Sequence, residues 1–239
     1  MQTKKKKRFT FLLMFFILGL GTHITAEEKV GGIKINETNF ISQIPETSLD
    51  LTNTETLIRL YLNSMYAGYI LIYDNINDAF KHAYSDFNGL RELLTRKDVG
   101  EKLIELYQRA DPQKSTDWKL SWEPKEYDFT FSITFIEVLF AQEVIINQLS
   151  ESQVKILISE LIKKNSFYSL YPETYSLLCK QYNLYSIVKV IVSKEKDNSV
   201  GNSLLNVPEI DYLLKTGKLL SSDVSSLIIE KAQQFLNTH

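Results

Sequence analysis

The chain has 239 residues and a formal net charge of −2, from 27 lysines and arginines and 29 aspartates and glutamates. Five of the basic residues and none of the acidic ones lie in the first 26 residues, so the remainder has 22 basic against 29 acidic residues, a net charge of −7. This charge would repel phosphate groups, which argues against a nucleic-acid-binding protein.

The single cysteine, Cys179, excludes a disulfide within the chain and a cysteine-based zinc site. We expect it to be a buried, small apolar side chain.

Residues 1–26 have the three-part layout of a secretory signal peptide. The basic segment Lys4–Arg8 precedes the apolar run Phe9–Gly21, and Ala26 offers a small residue at the cleavage point. The apolar run is shorter than the roughly 20 residues that a transmembrane helix needs. We therefore expect cleavage after Ala26 and a periplasmic or secreted protein of a bacterial envelope, not an integral membrane protein. The alternative is an uncleaved N-terminal helix that tethers the domain to a membrane.

The remaining chain divides into a short polar segment and a long helical one. Residues 27–51 contain Gly31-Gly32, Pro45 and many threonines, serines and asparagines, which indicates a linker or a loosely packed lead-in. In residues 52–239 apolar side chains recur mostly at three- and four-residue steps, as on the buried face of a helix. We predict a single all-α domain there, an irregular helical bundle or a short α-solenoid of about six to eight helices.

The first half of this domain begins with a pattern that is typical of the start of a helix. Thr52 and Glu55 have the spacing of a capping box, in which each side chain satisfies a backbone N–H group of the other. An apolar stripe then continues to Phe87 and predicts one long helix, or two helices that break near Asp74–Asn77. A further helix is predicted to begin at Asp98 by the same logic.

Residues 112–128 are the least helical part of the domain. Apolar and polar residues alternate from Trp118 to Trp122 and again after Pro124, which is typical of strands. The pattern predicts either a β-hairpin within 117–131 or, as we favour, a loop with at most a short strand. Residues from about 133 to 149 are apolar nearly all round, which indicates a central helix surrounded by others.

The second half consists of helices joined by short turns. Ser150 and Gln153 form a second capping-box pattern. Pro208 is suited to the first turn of a short helix that Gly217 ends, and Ser222 is suited to cap the last helix. No repeat of fixed length supports a specific solenoid family.

Three polar residues suggest a metal site. Asp74, Asp78 and His82 are spaced four residues apart, so on one helix they would share a face. Two carboxylates and an imidazole could bind a divalent cation with further ligands from elsewhere. An ordinary solvent-facing polar surface explains the spacing equally well, and we expect no cofactor.

The aromatic segment around residue 120 is the preferred recognition candidate. Both tryptophans, Trp118 and Trp122, lie there, and Tyr127 follows. Tryptophan is favoured at binding hot spots because it buries a large area at low entropic cost. The alternative is that these rings fold back and seal the bundle.

Catalytic patterns are weak in this chain. Residues 27–239 contain two histidines, His82 and His239, and no phosphate-binding glycine loop. A pair of carboxylates could act as acid and base across a cleft, with Glu137 and Glu143 as the best pair. Enzymatic activity is therefore left open, and the balance favours a non-enzyme.

These observations predict an exported helical protein that binds another protein, for example by neutralising a basic toxin or enzyme. The alternatives are a helical hydrolase that uses a carboxylate pair and a structural component of the envelope.

Overall fold

The helical segments account for nearly all of the residues whose structure is described. The computed structural model describes residues 29–30, 33–34, 43–110, 129–168, 174–195, 199–217 and 222–238. They form a short antiparallel ribbon, in which β1 (Lys29–Val30) pairs with β2 (Ile33–Lys34), and thirteen helices. The helices are α1 (Glu46–Leu49), α2 (Thr54–Leu62), α3 (Tyr69–Ile72), α4 (Ile76–Asp86), α5 (Asn88–Thr95), α6 (Val99–Arg109), α7 (Phe129–Phe140), α8 (Glu143–Ile146), α9 (Glu151–Tyr168), α10 (Thr174–Lys194), α11 (Ser199–Leu205), α12 (Pro208–Thr216) and α13 (Ser222–Thr238).

The all-α class is confirmed, with more helices in the described ranges than the six to eight predicted. None of the helices described is both long enough and apolar enough to cross a membrane. The predicted signal peptide lies outside the described residues, as do residues 117–128 of the possible hairpin. Residues 129–131 of that hairpin belong to α7.

Four of the extra helices, α1, α5, α8 and α11, are short, and one more arises because the apolar stripe before Phe87 is interrupted twice. The predicted break near residues 74–77 is confirmed, since α4 begins at Ile76. A second break, at 63–68, was not predicted. Tyr66 and Ala67 in that break are buried, so the turn continues the apolar pattern of the helix. Periodicity alone therefore could not reveal it.

Of the two predicted capping boxes, one is wrong and the other is confirmed. The Thr52 capping box is wrong, because Asn53 is the N-cap of α2 and its side chain accepts a hydrogen bond of 2.8 Å from the Thr56 N–H. The box at the start of α9 is confirmed. There the Ser150 N–H donates to Gln153 Oε1 at 2.9 Å, and the Gln153 N–H donates to Ser150 Oγ at 3.3 Å.

Helices α7 and α10 form the centre of the bundle. The described side chains of α7, from Ile133 to Phe140, are all buried, which confirms the predicted central helix, although it ends earlier than Leu149. Helix α10 packs against α7, α8, α9, α11, α12 and α13. Helices α4 and α12, which are far apart in the chain, are also in contact, as in an irregular bundle, whereas repeats of a solenoid contact their neighbours. Cys179 on α10 is buried, as expected.

The end of the predicted lead-in packs on this bundle. Ile44 is buried, and its backbone N–H and C=O are both bound by the side chain of Asn88, at 2.9 and 2.7 Å. The segment just before α1 is thereby attached to the start of α5.

Candidate functional site

The aromatic recognition candidate lies outside the described residues. Trp118, Trp122 and Tyr127 lie within residues 111–128, outside the described part of the chain. Their role in binding stays a prediction.

The three residues of the suggested metal site are exposed but are not gathered into a ligand set. Asp74 lies in the turn before α4, whereas Asp78 and His82 lie on α4. Asp78 Oδ1 is 3.9 Å from Lys81 Nζ, and the His82 ring stacks on Tyr73 with 4.6 Å between ring centroids. Among the described residues, no three His, Cys, Asp or Glu side chains form a group that could hold a metal ion.

The two acids of the suggested carboxylate pair have different environments. Glu137 lies in the middle of α7 with no exposed surface, whereas Glu143 is exposed in the first turn of α8. A glycosidase-like pair needs both acids on one accessible cleft. The structure does not bring these two together in that way.

Glu137 is instead the centre of a buried polar cluster. Its Oε1 accepts hydrogen bonds from the Tyr107 hydroxyl at 2.6 Å, the Asn183 amide at 2.9 Å and the Tyr168 hydroxyl at 3.2 Å. No hydrogen-bond partner of Oε2 is found in the described part of the chain. We call Glu137, Tyr107, Lys164, Tyr168 and Asn183 the Glu137 cluster. Its members come from α6, α7, α9 and α10, so it joins four helices.

Lys164 is the cationic member of the Glu137 cluster and is only 1 % exposed. Its ammonium group donates to the Tyr107 carbonyl at 2.7 Å and to Glu160 Oε2 at 3.2 Å. It also lies 3.9 Å from the centroid of the Tyr107 ring, within the range of a cation–π contact. Burial lowers the pKa of Lys164, and the negative charge of Glu160 opposes this.

Burial raises the pKa of Glu137 to about 7. Hydrogen bonds from Tyr107 and Asn183 and the positive charge of Lys164 work in the opposite direction, because they stabilise the carboxylate. A carboxyl group with this pKa could exchange a proton near neutrality. However, Glu137, Tyr107, Tyr168 and Asn183 are all buried, so no substrate reaches the carboxyl group in this conformation. The arrangement therefore supports a structural role.

A second set of functional groups lies at the surface, on α3 and α4. Five aromatic rings form a continuous series that begins in the core at Phe87 and continues through Tyr66, Tyr69 and Tyr73 to His82. Successive ring centroids are 5.3, 5.6, 5.5 and 4.6 Å apart. Phe87 and Tyr66 are buried, Tyr69 and Tyr73 are partly exposed, and His82 is exposed. The series thus leads from the core to solvent.

A carboxylate lies beside the outer rings. The Tyr69 hydroxyl donates to Asp86 Oδ2 at 3.2 Å, and Asp86 is partly exposed at the end of α4. Burial raises the pKa of Tyr69 to about 12, with a further contribution from this hydrogen bond. Tyr69 therefore remains a neutral donor at physiological pH. We call Tyr69, Tyr73, His82 and Asp86 the tyrosine face.

The sequence pattern indicated an apolar stripe through this segment and did not reveal the tyrosine face. The local density of tyrosine was an available signal, since Tyr61, Tyr66, Tyr69 and Tyr73 lie within thirteen residues. Helical spacing places such residues on a buried face. Which rings reach solvent depends on the break at 63–68, and that break was not predictable from the pattern.

No family model matches the chain, and no curated protein or solved structure shows significant similarity to it.

Proposed function

We propose that this protein is an exported binding protein and that the tyrosine face is its contact surface for a partner protein. The observation that carries the proposal is the series of contacting aromatic rings that reaches solvent at Tyr73 and His82. Tyrosine is enriched at protein interfaces because its ring buries a large area while its hydroxyl remains able to form hydrogen bonds.

The tyrosine face is also held in place before any partner arrives. Tyr69 packs against both Tyr66 and Tyr73, and its hydroxyl is bonded to Asp86. The backbone carbonyl of Asp86 in turn accepts a 2.6 Å hydrogen bond from the Gln43 side chain. A surface whose side chains are already ordered loses less conformational entropy on binding.

The hydrolase alternative has less support. Its best pair consists of one fully buried acid, Glu137, and one exposed acid, Glu143, so the two are not arranged to share a substrate. Binding therefore remains the better-supported function. Photo-cross-linking distinguishes binding from the third alternative, a structural component of the envelope.

Export is the part of the proposal that rests on residues 1–26. Expressed with a C-terminal tag in a bacterial host, the protein is expected outside the cytoplasm, with an intact mass that corresponds to cleavage after Ala26. A Phe16→Arg variant is the control, since a charge within the apolar run blocks the signal. That variant should stay in the cytoplasm at full length. Equal fractionation of the two proteins would contradict export by this signal.

The contact surface is tested by photo-cross-linking in the producing bacterium. With p-benzoylphenylalanine at position 73, a discrete protein adduct is expected. The same group at position 84 is the matched control, because Tyr84 is an exposed tyrosine of the nearby helix α4 with no ring contact among the described residues. Tyr69→Ala combined with the position-73 probe should weaken the adduct.

Equal adducts at positions 73 and 84 would reject the tyrosine face as the specific surface. No adduct at position 73, with the protein in the insoluble envelope fraction, would favour a structural component.

A further inference from the structure

The charges around the tyrosine face indicate what kind of partner it suits. Residues 69–88 contain three aspartates, Asp74, Asp78 and Asp86, and one lysine, Lys81. Lys81 is 78 % exposed and lies only at the limit of an ion pair with Asp78. This segment therefore has a net charge of −2, and the net charge of −7 predicted for the mature chain has the same sign. A complementary partner segment would be cationic.

Asp86 is the carboxylate best placed for such a partner. No lysine or arginine of the described ranges forms an ion pair with it, and its side chain accepts a hydrogen bond from Tyr69. An ionised carboxylate has about four acceptor positions, so further donors can bind. Arg91, the arginine nearest in sequence, instead donates to the backbone carbonyls of Tyr84 and Ser85.

The rings beside Asp86 favour a planar cation. Tyr69 and Tyr73, with centroids 5.5 Å apart, lie on the same surface as the carboxylate. A guanidinium group can stack on a tyrosine ring while its N–H groups bind a carboxylate, and the compact ammonium of lysine cannot do both as well. We infer that the tyrosine face binds an arginine-bearing segment of a partner protein, with the guanidinium between Asp86 and the tyrosine rings.

Other occupants fit these observations less well. An acidic segment would be repelled by the three aspartates. A purely apolar segment would cover Asp86 without pairing it, and a desolvated, unpaired carboxylate is costly. The inference rests on the proposed function, since it specifies the partner for the same surface.

The test uses the mature protein and three blocked peptides of alternating glycine with arginine, lysine or glutamate. In a titration followed by calorimetry, the arginine peptide is expected to bind most tightly, the lysine peptide more weakly and the glutamate peptide not at all. Binding should weaken as salt is added, because exposed charges are screened. Asp86→Asn is expected to reduce affinity by about tenfold, as for the loss of a charge-assisted hydrogen bond.

Matched variants distinguish this site from general attraction to an acidic protein. Tyr73→Ala should also weaken the arginine peptide, whereas Tyr84→Ala should leave its affinity unchanged. Asp78→Asn removes the same charge from the same helix and should have a smaller effect than Asp86→Asn. Thermal unfolding of each variant shows whether the fold is retained.

Two results would overturn the inference. One is equal affinity for the arginine and glutamate peptides, and the other is arginine-peptide binding that Asp86→Asn and Tyr73→Ala do not change. If no peptide binds while the specific adduct at position 73 persists, the arginine inference fails and the proposed binding function stands. If that adduct is also absent, both fail.

Discussion

Replacing Glu137 by alanine is expected to lower the free energy of unfolding by about 3–5 kcal/mol, the largest effect we predict for a single side chain. The carboxylate accepts hydrogen bonds from Tyr107, Tyr168 and Asn183, and all four residues are buried. Without it, three donors lose their acceptor in a site that water does not reach, and each loss costs about 1–3 kcal/mol before relaxation. Urea denaturation measures the change. Glu143→Ala, an exposed glutamate on the next helix, is the control and should change little.

The Glu137→Gln variant isolates the charge of this group, because its shape is nearly unchanged. The pKa of Glu137 is raised from 4.5 to about 7, so ionisation disfavours the folded state. The stability that the neutral carboxyl group of Glu137 contributes is therefore fully present below about pH 4.5. It is lost as the pH rises through about 7. Relative to the glutamine variant, the unaltered protein should lose about 3 kcal/mol of stability between these limits.

This comparison requires urea denaturation of both proteins from pH 4.5 to pH 8. Subtracting the free energy of unfolding of one protein from that of the other removes the contribution of groups that titrate alike in both. A difference independent of pH would show that Glu137 does not change its protonation state in this range. An increase in the relative stability of the unaltered protein with rising pH would contradict a raised pKa of Glu137 in the folded state.

A second large effect is expected at Gly217, which ends α12. Its φ of +69° lies in the left-handed region, and its N–H donates to the Leu213 carbonyl at 2.7 Å. A Cβ atom at this position would lie 2.6 Å from Ile76 Cδ1 and 2.8 Å from Ile76 Cβ. Gly217→Ala therefore combines left-handed strain of about 1–2 kcal/mol with overpacking of about 1–3 kcal/mol. We expect a total loss of about 2–4 kcal/mol in the free energy of unfolding.

A double-mutant cycle separates the two causes. In an Ile76→Ala background the clash is relieved, so Gly217→Ala should cost only the backbone strain, about 1–2 kcal/mol. Lys215→Ala is the control on the same helix, because its ion pair with Asp211 is exposed and contributes little. Equal costs of Gly217→Ala in the two backgrounds would show that contact with Ile76 is not responsible.

Local patterns predicted the parts of the fold that depend on neighbouring residues. The spacing of Ser150 and Gln153 predicted the start of α9, and Pro208 with Gly217 predicted the limits of α12. These features need only hydrogen bonds and dihedral angles within one turn. At α2 the same reasoning failed, because Asn53 offered a competing cap one residue after Thr52.

The candidate sites depended on contacts that no local pattern contains. The notable feature of Glu137 in the sequence was its position on an apolar helix. Its partners, at residues 107, 168 and 183, come from three other helices, and their burial together determines its pKa. In the same way, the metal suggestion assumed one helix through Asp74 and His82, whereas the turn before α4 places His82 on the ring of Tyr73.

The amino-acid sequence by itself determined that the protein is helical, where several helices begin and end, and that α7 lies at the centre. Helical periodicity and end signals are local, so they can be read without knowledge of the fold. Only the tertiary structure decided which polar and aromatic side chains meet. Glu137 is enclosed by donors, and Tyr69 and Tyr73 are partly exposed near Asp86, because helices distant in sequence or separated by unpredicted turns pack in one particular arrangement.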